Sequence, residues 1–241
     1  SFLAQKLKRF EGQIDLHFKG SFDKANRSSI ESYRGPGMEK GLMMLEKVKK
    51  DYDLKVITDF HAPDQAEEVA SVVDVLQVPA FLCRQTDMIV AGAKACQKYN
   101  RHLKVKKGQF LSPEETKNIV EKAQNFLPKD KIFLTERGSS FGYQNLIVDM
   151  ASFQIMKSFG VKAFHDATHC VQKPGAGGKT TGGKRDQILT LAQAAVAAGA
   201  DGIFMEAHPD PAKALSDAAT CLELSEIPQI IEKLLRIYEV V

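Results

Sequence analysis

IDLHFKGSFDKANRSSIESYR, residues Ile14–Arg34, opens as a strand and runs on into a cationic loop. Ile14, Leu16 and Phe18 alternate with Asp15 and His17, the period-two pattern of an extended segment. The loop then gathers Lys19, Lys24, Arg27 and Arg34 with Asp23, Asn26 and several hydroxyls. Cations at the end of a strand, with Gly20 to let the chain turn, suit anionic groups such as phosphate or carboxylate. A solvated basic loop would use the same residues, so the other strand ends must decide.

The unit repeats outward from this point. Short apolar runs read as strands at Leu54–Asp59, Val73–Val78, His102–Lys106, Lys131–Thr135, Val161–Asp166 and Gly202–Glu206. Amphipathic stretches follow them: residues 37–52, Pro63 to Ser71, Gln85–Tyr99, a segment opened by Ser112-Pro113-Glu114-Glu115, Asp149–Phe159, Asp186–Ala198 and Ser225–Tyr238. Ser112 with Glu115 is a capping-box pair, and Pro113 suits a first turn. One further helix, residues 1–11, stands in front. Pro174–Lys184 is Gly-rich and reads as a mobile loop, and no linker divides the 241 residues.

Strands alternating with helices predict a parallel sheet, either doubly wound or closed. No G-x-G-x-x-G follows the first strand, which disfavours the doubly wound form. Seven β-then-α units behind an orphan helix fit a (β/α)8 TIM barrel whose first strand precedes Ser1. A barrel of ~250 residues matches this length as a single domain, 1–241. A barrel short of a strand would leave a raw sheet edge, so a further N-terminal segment is expected.

Composition narrows the function. A net charge of +3, with cations dispersed rather than clustered among aromatics, argues against nucleic acid. No apolar run approaches a membrane span, and SFLAQKLKRFEG reads as an amphipathic helix rather than a signal peptide. Cys83, Cys96, Cys170 and Cys221 form no C-x-x-C pair, which fits reduced thiols in a cytosol.

In a barrel, catalytic groups lie at the carboxyl ends of the strands. Those ends carry Lys19, Asp59 and His61, Gln77 to Arg84, Lys106 and Lys107, Glu136 and Arg137, Asp166 and His169, Glu206 and His208. Together they read as a cation-rich mouth in which Lys19, Lys24, Lys106 and Arg137 bind a small polyanion, and Arg27 and Arg34 a second anion. His169, Glu206 and Asp217 form another group. Imidazole with carboxylates suits Zn, Fe or Mn, although only the fold would bring these three together.

FKGSFDKANRSS, PAFLCRQTD, VKKGQF, LTERGSSFGYQNLIVDM, DATHCVQKPG and FMEAHPDPAKALSDAAT closely resemble the 3-deoxy-D-manno-octulosonate 8-phosphate synthase family, across the chain and in the family's order. The resemblance implies a cytoplasmic, homotetrameric (β/α)8 barrel that condenses phosphoenolpyruvate with D-arabinose 5-phosphate for lipopolysaccharide synthesis. It implies that Lys24, Lys106 and Arg137, joined by Lys19, Gln77 and the Ala80 backbone, hold phosphoenolpyruvate. Asn26, Arg27 and Ser28 fall on the sugar-phosphate site, with Asp59 near the sugar. Phe81 and Arg84 lie in a stretch that reaches a neighbouring subunit's site, and Pro174–Arg185 resembles a lid. The heptulosonate-forming relatives carry a K-P-R-T-type motif where this chain has Lys24-Ala25-Asn26-Arg27-Ser28.

By the same resemblance, His169, Glu206 and Asp217 fall on three of four ligand positions of the metal-dependent subclass. The fourth is a Cys in a G-P-C motif on the strand ahead of Ser1, replaced by Asn in metal-free members. Ser216-Asp217-Ala218-Ala219-Thr220 resembles the metal-dependent subclass more closely than the C-D-G-P-S run of metal-free members. A divalent metal is therefore expected. His169, Glu206 and Asp217 are also the expected proton-transfer groups, and no organic cofactor is expected.

Overall fold

The computed structural model describes residues 2–27, 29–177 and 180–241. A seven-stranded sheet contains β1 (His17–Lys19), β2 (Lys55–Asp59), β3 (Val75–Val78), β4 (His102–Lys106), β5 (Ile132–Glu136), β6 (Lys162–Asp166) and β7 (Gly202–Phe204). Its order is β1-β2-β3-β4-β5-β6-β7, with parallel register wherever pairs are given. Chain order and sheet order coincide. A doubly wound sheet must reverse its strand order at a switch point, so that alternative is excluded.

The chain groups into two compact units, Ser1–Lys106 with Asn118–Phe133, and Lys107–Lys117 with Leu134–Val241. Helix α1 (Phe2–Leu7) opens the chain, helices α2 (Met38–Tyr52), α3 (Ala66–Val72) and α4 (Thr86–Tyr99) follow the first three strands, and α5 (Lys117–Ala123) precedes β5. All four residues of β3 are buried, as expected of a parallel strand covered on both faces. Phe60 and Leu103 pack so tightly under α4 that a Cβ at Gly92 would lie 2.9 Å from each. Asp53 and Asn100 end α2 and α4 in the left-handed conformation, which short polar side chains tolerate.

The second unit holds α6 (Ser152–Lys157), α7 (Ile188–Ala197) and α8 (Ile227–Tyr238). Ile227, Ile230, Ile231 and Leu234 form the buried stripe of α8, which packs against α7. Each such side chain contributes roughly 1.5–3 kcal/mol by leaving water. Asp201 accepts the Ala163 N–H at 2.8 Å, tying β7 to the start of β6. Asp74 does the same in the first unit, accepting the Val56 N–H at 2.9 Å.

Several expected boundaries shift for local reasons. The first strand begins at His17 rather than Ile14, because its partner begins at Lys55 and the register pairs those two residues. The last strand stops at Phe204. Beyond it, Ala207–His208 leaves to pair with Leu222–Glu223 in a separate short ladder. The Gly-rich stretch 174–184 carries extended structure that its composition did not announce. Gln172–Gly177 and Thr180–Gly183 form an antiparallel pair, while Gly178 and Lys179 lie outside the described residues. The capping box at Ser112 forms as read, with Ser112 N–H donating to Glu115 at 2.9 Å.

His165, on β6, is fully buried, edge-on to Phe153 with ring centroids 5.8 Å apart. Burial pushes its pKa down to about 4. The folded imidazole thus stays neutral while the unfolded one protonates near pH 6.5. Stability contributed by this difference is present above pH 6.5 and lost as pH falls toward 4, by roughly 1.4 kcal/mol per unit. A His165→Leu variant should show a flatter stability-against-pH curve across that window in urea titrations.

Candidate active site

In the first unit, the loop after β1 is fastened to α2 by Phe22, which is 2% exposed. A Cβ at Gly41 would lie 2.3 Å from the Phe22 Cβ, so glycine is what lets the ring seat against the helix. Gly35, at φ 128° and 2.4 Å from the Phe22 carbonyl by the same measure, admits no side chain. Gly20 has no left-handed φ, and the left-handed glycines of this loop are Gly35 and Gly37, at the entry to α2.

The loop's charges divide. Arg34 Nε and Nη2 donate to the two oxygens of Asp23 at 2.7 and 2.6 Å. That bidentate pair closes the loop and corrects the expectation of Arg34 as an anion ligand. Lys19 Nζ lies 2.8 Å from Asp59 Oδ1, and Ser21 Oγ donates to the same oxygen at 2.8 Å. His61 Nε2 meets the other Asp59 oxygen at 3.0 Å. Burial alone would raise the Asp59 pKa, but Lys19 and His61 outweigh it and hold the carboxyl well below its usual range. Asp59 is therefore a fixed anion that orients Lys19.

Gln77 pairs in register with Asp59 and is buried, its Oε1 without a hydrogen-bond partner among the described residues. Ala80 is buried in the turn after β3, whereas Phe81 (54% exposed) and Arg84 face solvent. Lys24 and Arg27 are half-buried, Asn26 is exposed, and Lys106 is buried at the end of β4. Ser28 lies outside the described residues.

In the second unit, Lys107 is not a group of the mouth. It is fully buried, donating to Ser139 Oγ at 2.9 Å and the Leu111 carbonyl at 3.2 Å, with Glu136 Oε2 at 3.4 Å. Burial raises the Glu136 pKa, with Lys107 opposing. This pair pins the backbone on either side of Arg137.

Arg137 itself is 7% exposed. Its Nη2 donates to Gln172 Oε1 at 2.9 Å, while Nη1 has no partner among the described residues. Burial works against its charge and Asp166 favours it. A buried guanidinium with an unmade donor is a ready anion site.

His169, Glu206 and Asp217 each offer a ligand atom, all within 4.8 Å of one another. Sequence reasoning named these three, and the second unit brings them together. The fully buried Asp166 carboxylate sits 2.9 Å from His169 Nδ1 and 3.0 Å from its N–H. His169 Nε2 faces Glu206 Oε2 at 3.3 Å, close enough for the two to share a proton or a cation. Thr168 Oγ1 accepts the Glu206 N–H at 3.2 Å, and Asp217 Oδ1 accepts from Gln172 Nε2 at 2.6 Å. Asp217 holds a left-handed φ of 53°, a strained setting for a non-glycine residue. Asp166 and Gln172 thus steer two of the ligand side chains while Thr168 holds the Glu206 backbone, an arrangement common around a bound metal, and the three side chains fit a divalent cation.

Cys170, beside His169, is buried and donates to the Ala167 carbonyl at 3.3 Å; burial pushes its thiol pKa up. It is a core residue. Sequence reasoning missed Gln172 altogether. A lone glutamine after a strand end carries no signal until its two partners are seen.

The profile of the DAHP synthetase I family matches residues 1–239. The chain belongs to that family. Among its relatives, "2-dehydro-3-deoxyphosphooctonate aldolase" from Variovorax paradoxus is 52% identical over 232 residues, 94% of this chain and 80% of the relative. The protein of the same name from Trichlorobacter lovleyi is 51% identical over 221 residues, 92% and 79% of the two chains. That from Campylobacter jejuni is 47% identical over 251 residues, 99% and 91%. The family profile is named for the seven-carbon product, and these relatives for the eight-carbon one. Among the described residues, no helix is long and apolar enough to cross a membrane.

Proposed function

We infer that this chain is a 3-deoxy-D-manno-octulosonate 8-phosphate synthase. It condenses phosphoenolpyruvate with D-arabinose 5-phosphate and water, releasing phosphate, in lipopolysaccharide precursor synthesis. The observation that carries the reading is Arg137, a buried guanidinium with an open donor, in a chain about half identical to relatives of that name. Chain-ordered parallel strands support a closed (β/α)8 barrel. The reading includes a cytoplasmic homotetramer in which Phe81, 54% exposed in the single chain, meets a neighbouring subunit.

Arg137, Lys24, Lys106 and Lys19 offset the phosphate and carboxylate charge of phosphoenolpyruvate, with Gln77 and the Ala80 backbone completing its cradle. Asn26, Arg27 and Ser28 hold the sugar phosphate, and Asp59 keeps Lys19 in place. Fixing the enol carbon against the aldehyde can supply ~7–11 kcal/mol of the barrier. C3 of phosphoenolpyruvate bonds to the aldehyde carbon while water adds to C2. The hemiketal phosphate then loses phosphate by C–O cleavage. His169, Glu206 and Asp217, an imidazole with two carboxylates, move the protons. The same three would hold a divalent cation, whose chemistry when bound is Lewis acidity toward water or a carbonyl.

The discriminating test is kcat/KM for arabinose 5-phosphate against erythrose 4-phosphate. A preference for the five-carbon sugar by at least about tenfold is expected, since the sugar phosphate's length sets its reach between fixed anion ligands. Preference for the four-carbon sugar would make the chain a heptulosonate synthase instead.

A further inference from the structure

We propose that Gln172 is a positioning residue that ties the anion-binding arginine to the cation-binding carboxylate, so that neither is correctly held without it. The proposal rests on the reading of Arg137 and Asp217 given above, and deepens it.

The amide is 8% exposed and stands between two groups whose hydrogen-bonding roles are fixed by chemistry. Arg137 can only donate, and it donates from Nη2 to Gln172 Oε1 at 2.9 Å. The Asp217 carboxylate can only accept, and it accepts from Gln172 Nε2 at 2.6 Å. An amide is the side chain that satisfies both at once, and the two partners leave it a single orientation. Fastening Nη2 to the protein leaves Nη1, unpartnered among the described residues, as the donor for an incoming anion. Fastening Oδ1 leaves the second Asp217 oxygen for a cation.

The backbone supports this role. Gln172 opens the antiparallel pair Gln172–Gly177 and Thr180–Gly183, and its N–H donates to the His169 carbonyl at 3.3 Å. Gly183, the residue paired with Gln172 in that ladder, is seated on the Asp217 turn. A Cβ at Gly183 would fall 2.0 Å from Thr220 Cγ2, the Lys184 N–H donates to the Val171 carbonyl at 3.0 Å, and Arg185 donates to the Ala218 carbonyl. Gln172 therefore has a rigid mount on both sides, which a side chain of merely filling character would not need.

The test uses the full chain after chelator dialysis, with Mn2+ as the probe, measured calorimetrically alongside steady-state kinetics. Gln172→Met keeps the volume and removes both bonds. Mn2+ affinity should fall about 10–100-fold, the usual effect of losing a residue that orients a ligand. KM for phosphoenolpyruvate should rise about tenfold, while KM for arabinose 5-phosphate moves less than about twofold. Gln172→Asn, whose shorter arm cannot span both partners, should fall between Met and wild type. In an Asp217→Asn background, Gln172→Met should weaken Mn2+ no further. A purely structural role would move both substrates together and leave Mn2+ untouched. Unchanged Mn2+ affinity in Gln172→Met, with affinity lost in Asp217→Asn, overturns the tie alone. Affinity unchanged in both variants overturns the tie together with the cation reading, and wild-type behaviour of Gln172→Asn also overturns it.

Discussion

Replacing Arg137 with alanine should raise KM for phosphoenolpyruvate by on the order of a hundredfold or more, and that for arabinose 5-phosphate far less. The size follows from where the guanidinium sits. At 7% exposure it has surrendered most of its hydration, and among the described residues only Gln172 accepts a hydrogen bond from it. In such a setting a charge-assisted, two-donor contact to phosphate or carboxylate is worth more than at a wetted surface. Arg137→Lys should recover little, because an ammonium keeps the charge but loses the fork. Initial-rate kinetics with each substrate varied in turn would check this. Equal changes for both substrates would mean that Arg137 shapes the fold rather than holding phosphoenolpyruvate.

Removing divalent metal should have a comparable effect. Dialysis against a chelator should abolish activity by about 10²-fold or more, and added Mn2+ or Zn2+ should restore it. The expectation rests on three ligand atoms within 4.8 Å, on the steering of His169 by Asp166 and of Asp217 by Gln172, and on the Thr168 hold on the Glu206 backbone. It rests equally on His169 Nε2 and Glu206 Oε2 standing 3.3 Å apart, close enough to share one cation. His169→Ala should reproduce the chelator effect and resist rescue by added metal. Full activity in excess chelator, measured as product formation, would show that His169, Glu206 and Asp217 serve proton transfer alone.

Most of the architecture was legible because period-two apolar runs and amphipathic helices alternate so regularly. His102–Lys106 needed no adjustment, and the Ser112 capping box formed as read. What failed to show was anything set by a partner distant in sequence. Ile14 to Leu16 alternate correctly but have no opposite strand, since the neighbour begins at Lys55. The glycines of 174–184 suggested an open loop, yet two extended segments pair across it.

The site was legible in its residue types and much less so in its roles. Strand-end position picked out Asp59, Arg137, His169 and Glu206, because the fold alone sets that position, whereas Asp217 was read from ligand chemistry and resemblance. It gave no means of telling a charge that faces a ligand from one that faces the protein. Arg34 and Lys107 look like anion ligands in sequence, yet Asp23 takes the first and Glu136 with Ser139 the second. Gln172 was invisible for the converse reason: its role consists of two contacts, one 35 residues upstream and the other 45 downstream.

The most direct test of the account is a phosphate-release assay on the wild-type chain with divalent metal, phosphoenolpyruvate and arabinose 5-phosphate. The account predicts one phosphate released for each phosphoenolpyruvate consumed, with release requiring the sugar phosphate and an eight-carbon keto-sugar acid phosphate appearing in equal amount. Phosphate release that is independent of the sugar, or no release at all, would contradict it.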